Sequence, residues 1–435
     1  MGISWQKHKA IVFENDDWCG VGIITVRDRA ACERALGVPE IRAALDYRNG
    51  ALRQWSTSKL ETPEEMQRLF DLLLSFRGAD GRPVLFTPIC LAANPDCTAI
   101  RENGFERFVD MSIADGFPDG RDPGDIIGKA KEGIELGVWY PQSHGRGHHY
   151  NGKKWVRSLR EKRDKTQLAF FEFDVVGWPT PPWGDNLHEL KGLEFDDMTD
   201  DELDDWFQTG MRFFRNAFGY DTAAMPITDA RDDNMARCKG MLQRSGARIR
   251  SHTRGTYNSF GTPDCPMGKH DPPGVLCMGW NVRLDPIGRA DAETDRGCSG
   301  ALERIERSWA LDMPAVVGGH RINYASFDEN QVREGYGQTE RLLAGISKEH
   351  PDAVYLTGAE VRQLYDSGTS VLRQGSRITC RNYTGEPAEI RLANPHTAKG
   401  YRARNLRTDE EIVCDADEDT VRFTAPEGEY SIEEA

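Results

Sequence analysis

Three short stretches of this 435-residue chain combine side chains able to hold a metal ion and to move protons. The first is Glu14-Asn15-Asp16-Asp17, where an apolar run ends in adjacent acids. Successive strand side chains diverge, so one acid can ligate a cation while its neighbour faces a substrate. A polar strand end with capping aspartates would look the same. The second is Ser143-His144-Gly145-Arg146-Gly147-His148-His149, with three of the ten histidines. His144 and His148 stand four apart, a spacing that puts two imidazoles on one face of a helical turn and lets both bind one ion. A solvated His-rich loop is the alternative. The third is Gly318-Gly319-His320-Arg321-Ile322-Asn323, after the apolar run PAVV. A histidine there could protonate a leaving group, since its ordinary pKa lies near neutrality, or could simply bond a backbone carbonyl.

Weaker signals accompany these. In Phe171-Glu172-Phe173-Asp174 the two acids project to one side of a strand. They could orient a ligating histidine, pair with arginine or cleave a glycosidic bond. His252, Arg254, Asp229 and Arg231 follow apolar runs, and Trp139, Trp178, Trp183 and Trp280 could stack on sugar rings or fill a core.

Positioning these groups requires strands that end near one another. Apolar runs predict strands at 9–15, 82–90, 137–143, 167–174, 223–228, 247–251, 275–282, 314–320 and 353–358. Helical patterns lie between them, near 62–76, 122–134, 200–218, 231–245, 299–310, 330–348 and 358–366. Such alternation points to parallel βαβ units, and eight or nine of them suggest a barrel, with the polar strand ends on its functional rim. The expectation is an α/β fold, a distorted (β/α)7-type barrel over residues 1–368, with a small all-β sandwich over 369–435 where apolar and polar residues alternate between turn signals. No G-x-G-x-x-G follows a strand, which argues against a dinucleotide fold.

Composition narrows the function. A formal net charge of −15 leaves no excess of Lys and Arg to neutralise phosphates, so nucleic acid is not an expected partner. No apolar run approaches the ~20 residues of a membrane helix. The acidic run 194–205 fits the solvated start of a helix, and lacks the regular ligand spacing and central glycine of a calcium-binding EF-hand loop. Ten scattered cysteines without Cys-x-x-Cys suggest free thiols rather than a zinc knuckle. If Met1 is the natural start the protein is expected in the cytoplasm, and a signal removed before it would make the protein secreted or periplasmic.

A strand ending in Asp-Asp, a later His-x-x-x-His and a late strand ending in His resemble, in that order, the polysaccharide deacetylase family. The layout spans most of residues 9–366, and the detail lies in three short segments. Trp18 stands where that family has glycine, Gly145 replaces its hydroxyl residue, and its central Arg-x-Pro-x-Gly has no clear counterpart. The resemblance implies a carbohydrate substrate and one divalent ion, zinc or else nickel, cobalt or manganese, held by Asp17, His144 and His148. Asp16 would be the base and His320 the acid, with Arg146, Arg321, Asn323, Trp18 and Glu172 near the sugar. The implied reaction removes N- or O-linked acetyl groups. A metal-independent glycoside hydrolase using paired carboxylates, or a glycan-binding protein without catalysis, would suit the same scaffold.

Overall fold

The computed structural model describes residues 3–20, 24–25, 39, 57–118, 120–147, 152–161, 176–177, 195, 198–227, 232–251, 261–262, 265–286, 297–394 and 400–434. Its central strand is β1 (Ala10–Trp18), in which every residue is buried. Ile11 and Phe13 join a core shared with helices, while Ala10 and Val12 join a second core on the opposite face. This is the two-residue alternation of a strand covered on both sides.

After β1 the chain runs α1 (Pro63–Leu74), β2 (Phe86–Leu91), α2 (Ile126–Leu136), β3 (Gln142–Gly145) and α3 (Asp200–Phe218). It continues with β4 (Ala224–Pro226), α4 (Asp232–Ser245), β5 (Ile249–Ser251), β6 (Leu276–Met278), β7 (Val282–Arg283) and α5 (Cys298–Ala310). The first unit closes with β8 (Ala315–His320), α6 (Glu329–Glu349), β9 (Val354–Tyr355) and α7 (Gly358–Ser367). Capping boxes at Thr62/Glu65, Thr199/Glu202 and Thr357/Glu360 start α1, α3 and α7 by satisfying N–H groups that a helix start leaves open. The acidic run is therefore the N-terminus of α3, with Asp200, Asp201 and Glu202 in its first turn, where the helix dipole favours negative charge. Among the described residues, no helix is long and apolar enough to cross a membrane.

Parallel pairing joins these strands into two sheets. In the larger, the order is β7-β8-β1-β2-β3, with β9 also on β1. Ile11 lies opposite Ala315 and Asp16 opposite His320, so β1 and β8 end at one level. The smaller sheet runs β6-β5-β4. The expected barrel is thus met only in part, because no described backbone ladder connects β3 to β4. A side chain bridges them instead. Gln142 Oε1 accepts the N–H groups of Ala223 and Ala224, both at 2.8 Å, and Ser143 N–H donates to Thr222 Oγ1 at 2.9 Å.

Between the sheets pack Val12, Ile249, Leu276, Met278, Trp280 and Val316. Trp280 lies across β8 at Gly318, where a Cβ would come within 1.8 Å of its ring. Only glycine leaves that space.

The second unit begins after Gly368, which ends α7 in the left-handed conformation at φ 75. Its strands are β10 (Thr369–Gln374), β11 (Arg377–Asn382), β12 (Ala388–Ala393), β13 (Tyr401–Asn405), β14 (Glu411–Ala416), β15 (Thr420–Ala425) and β16 (Gly428–Glu434). They make one antiparallel sheet of order β10-β11-β16-β13-β14-β15-β12, and its two end strands touch. This corrects the expected sandwich. A single sheet rolls almost closed around Ile378, Tyr401, Phe423 and Tyr430, so each strand needs one buried face only.

A buried arginine joins the units. Arg381 of β11, 0% exposed, donates to Asp80 Oδ2 at 2.7 Å and to Glu360 Oε1 at 3.1 Å in the first unit. It also donates to Tyr383 Oη at 3.2 Å and lies 3.9 Å from Glu429, to which the Tyr383 hydroxyl donates at 2.7 Å.

Candidate metal centre

β1 ends irregularly. Its register with β2 shifts between Asn15 and Trp18, and Asp17 has φ 70. A left-handed conformation costs a non-glycine residue roughly 1–2 kcal/mol. Its effect here is local re-aiming. The sequence expectation had Asp16 and Asp17 diverging, as neighbours on a regular strand do. In the structure Asp16, Asp17 and His144 each offer a ligand atom within 4.8 Å of the others. The Asp17 N–H donates to Asp16 Oδ1 at 3.1 Å, and His144 Nε2 lies 3.1 Å from the same oxygen.

His144 belongs to strand β3, not to a helical turn. The next residue, Gly145, has φ 105, and the pairing of β2 with β3 shifts there. The imidazole is therefore presented by a strand end, at the same rim as β1. All three residues are buried, at 2–3% exposure. Two adjacent carboxylates removed from water need a compensating positive charge. Two carboxylate oxygens and an imidazole nitrogen suit a divalent cation such as zinc, so the residues present fit the expected metal.

His320 ends β8, opposite Asp16. Its Nδ1 lies 2.9 Å from Asp285 Oδ2, and its ring meets Trp280 edge-on at 5.5 Å. Burial lowers the affinity of the ring for a proton, but the Asp285 charge and hydrogen bond, with the charges of Asp17 and Asp16, raise its pKa above the ordinary value. Asp285 is fully buried, which by itself would raise its pKa. His320, Arg283 and Asn323 outweigh burial and hold it well below the usual carboxylate range. Arg283 Nη2 donates to Asp285 at 2.9 Å and Asn323 Nδ2 at 2.7 Å. With Nδ1 committed to Asp285, Nε2 is the nitrogen left for proton exchange.

Deeper in the interior, Glu14 accepts the Trp280 indole N–H at 3.0 Å. Burial pushes its carboxyl up to about 8, the Trp280 bond pulls it down and the Asp16 charge pushes it up further.

Not every expected residue faces this cluster. Trp18 is 2% exposed and packs edge-on to Trp139 at 4.8 Å. Arg146 grips Asp110 at 2.7 and 3.0 Å and lies over the Trp206 ring. Arg321 is fully buried, donating to Glu61 at 2.9 Å and to the Gly20 carbonyl, while Glu61 also accepts the Cys19 N–H at 2.8 Å. Together Glu61 and Arg321 hold the backbone just beyond the acids of β1. Asn323 serves Asp285. His148, Glu172, Asp174, Asp229, Arg231, His252, Arg254, Trp178 and Trp183 lie outside the described residues.

Sequence reasoning missed Asp285, Arg283 and Glu61. Asp285 carries the same signal as the other sites, an acid at the end of an apolar run, VLCMGWNVRLD. Glu61 has no local signal, because its partners are 42 and 260 residues away.

No protein-family profile matches the chain, and no curated protein matches it. Among solved structures it is similar to a protein assigned as a polysaccharide deacetylase from Mycobacterium smegmatis, at 12% identity over 84% of this chain and 93% of that one, with a TM-score of 0.41. It is similar also to Puue allantoinase, at 10% identity over 83% and 92% of the two chains, with a TM-score of 0.41. A third is the 4-alpha-glucanotransferase from Thermococcus litoralis, at 11% identity, TM-score 0.40, over 81% of this chain and 40% of that one. Their named activities differ.

Proposed function

We propose that this chain is a metal-dependent hydrolase that removes N- or O-linked acetyl groups from a carbohydrate. The observation that carries the reading is the buried convergence of Asp16, Asp17 and His144, at the rim where His320 is charged by Asp285. Asp17 and His144 would hold the ion, with His148, four residues on in the sequence, as the expected third ligand. A divalent cation there supplies Lewis-acid polarisation of the acyl carbonyl and a more acidic water.

The protein's own groups move the protons. Asp16 takes the proton of the attacking water, its Oδ1 steadied by the Asp17 N–H. His320, kept protonated by Asp285, gives its Nε2 proton to the departing amine or alcohol. Arg283 and Asn323 hold Asp285 ionised and aimed, so the ring keeps one orientation through the cycle.

Elemental analysis of purified protein, paired with acetate release from a panel of acetylated glycans, tests the reading. The wild type should carry about one ion per chain and lose activity to a strong chelator. Asp17→Asn and His144→Ala should lose metal and activity together. His320→Ala should keep the metal while activity falls about 10²–10⁴-fold. Stoichiometric metal in Asp17→Asn, or activity that survives the chelator, would sink the assignment.

A further inference from the structure

β2 lies between the two strands that bear the candidate ligands. Asp16 and Asp17 end β1, His144 stands on β3, and among the described residues none of β2 joins their cluster. Ladder bonds normally fix neighbouring strands along their whole length. Here both ladders falter where the ligands stand. The pairing of β1 with β2 shifts between Asn15 and Trp18, and that of β2 with β3 shifts between Cys90 and Leu91. The separation of the two ligand-bearing ends therefore needs another hold.

The continuation of β2 reaches both ends. Past Leu91 the chain runs through Ala92 into a short strand, Ala93–Pro95, which pairs antiparallel with Asp110–Ser112. Toward β1, Asn94 is 0% exposed and donates its side-chain amide to the Cys19 carbonyl at 3.0 Å. Cys19 has φ 58, so it and Asp17 are two left-handed residues within three positions. Such backbone persists only where the surroundings over-determine it. Asn94 grips the carbonyl of Cys19 while Glu61 accepts its N–H. Toward β3, the Ala92 N–H donates to the Gly145 carbonyl at 3.0 Å. Asp110 then accepts Arg146 Nε and Nη2 in a two-bond fork, the pairing that fixes a guanidinium most closely. From the other side α3 closes on the same residue, since a Cβ at Gly210 would stand 2.8 Å from the Arg146 backbone nitrogen. One hairpin thus holds Cys19, two residues past Asp17, and both residues that follow His144.

We propose that the hairpin of Ala93–Pro95 and Asp110–Ser112 is a bracket that sets the separation of Asp17 from His144, with Asn94 and Asp110 as positioning residues for the ion. The inference rests on the metal reading above. Asn94 acts through the Cys19 carbonyl and Asp110 through the Arg146 guanidinium. Arg146, expected from the sequence to meet the sugar, becomes an anchor for the strand end that carries His144.

The test strips the full chain of metal with a chelator and titrates it with zinc by calorimetry. Asn94→Ala and Asp110→Ala should each weaken zinc binding about 10–100-fold, the usual effect of removing a group that orients a ligand. Asp110→Ala, nearer the surface, keeps the question open to measurement if Asn94→Ala does not fold. Because one hairpin carries both grips, the double variant should lose less than the product of the two single losses. Val421→Ala, in the core of the second unit, should lower the unfolding midpoint and leave zinc affinity unchanged. Wild-type affinity in both single variants, or an equal loss of affinity in Val421→Ala, overturns the bracket, and so do fully multiplicative losses in the double variant. A chain that binds zinc but releases no acetate would overturn the hydrolase reading and leave the bracket standing. A wild type that binds no zinc would overturn both.

Discussion

Asp17 shows how much one residue's backbone can decide. On a regular strand its carboxylate would point away from Asp16, and the left-handed turn at φ 70 brings both to His144. The acids themselves were legible in the sequence as polar residues ending an apolar run. Their convergence was not, because a left-handed aspartate has no signature in residue type. Asp285 invites a sharper test. It raises the pKa of His320, so in the proposed reaction the acid would be spent only at higher pH. In Asp285→Asn the His320 pKa should drop, moving the alkaline limb of the kcat/KM profile to lower pH, with activity down about 10–100-fold. An unmoved limb would remove His320 from the acid role. Stability follows the same sign. The raised pKa contributes stability that is full below the unfolded value of about 6.5 and is lost as pH rises through the folded value.

Among elements, β8 sets the level of the site. The runs at 9–15 and 314–320 predicted β1 and β8 from apolar content alone, and the helices starting at capping boxes were equally plain. Less visible was why β8 carries Gly318. The Trp280 ring occupies that side of the strand, and its indole N–H holds Glu14. Gly318→Ala should overpack this contact and destabilise by about 1–3 kcal/mol in urea titrations, with a shift in tryptophan fluorescence. Wild-type stability would show that Trp280 can move aside at no cost. The histidine spacing misled for a related reason. Four residues apart suggested a helical turn, yet β3 runs through His144, because Gln142 and Ser143 are tied to 222–224 and hold the segment extended.

At the scale of the whole molecule, Arg381 makes the two units depend on each other. Asp80 and Glu360 belong to the first unit, where Arg82 lies beside both, and they gain their fully buried cation only when the second is in place. Arg381→Ala should cost about 3–5 kcal/mol, since it takes the buried partner from Asp80 and Glu360 and leaves them only the less buried Arg82, and chemical denaturation measures it. A loss below about 1 kcal/mol, the worth of an exposed pair, would mean that water reaches these groups. Alternation of residues after 368 announced an all-β unit. Whether its strands form two sheets or one rolled sheet depends on pairing between distant segments, such as β10 against β12, and no local pattern encodes that.

The Gln142 bridge has a thermodynamic corollary. One amide oxygen closes the wall between β3 and β4, and two residues further along the same strand His144 reaches the candidate metal centre. Grip on an ion and closure of that seam are then linked equilibria, and linkage is reciprocal. Filling the centre should slow hydrogen exchange at the Ala223 and Ala224 amides. Gln142→Leu should speed their exchange and weaken metal affinity. If exchange at those amides ignores the ion, the seam and the centre are independent. Otherwise the protein reports occupancy of the candidate centre on the far side of its own wall.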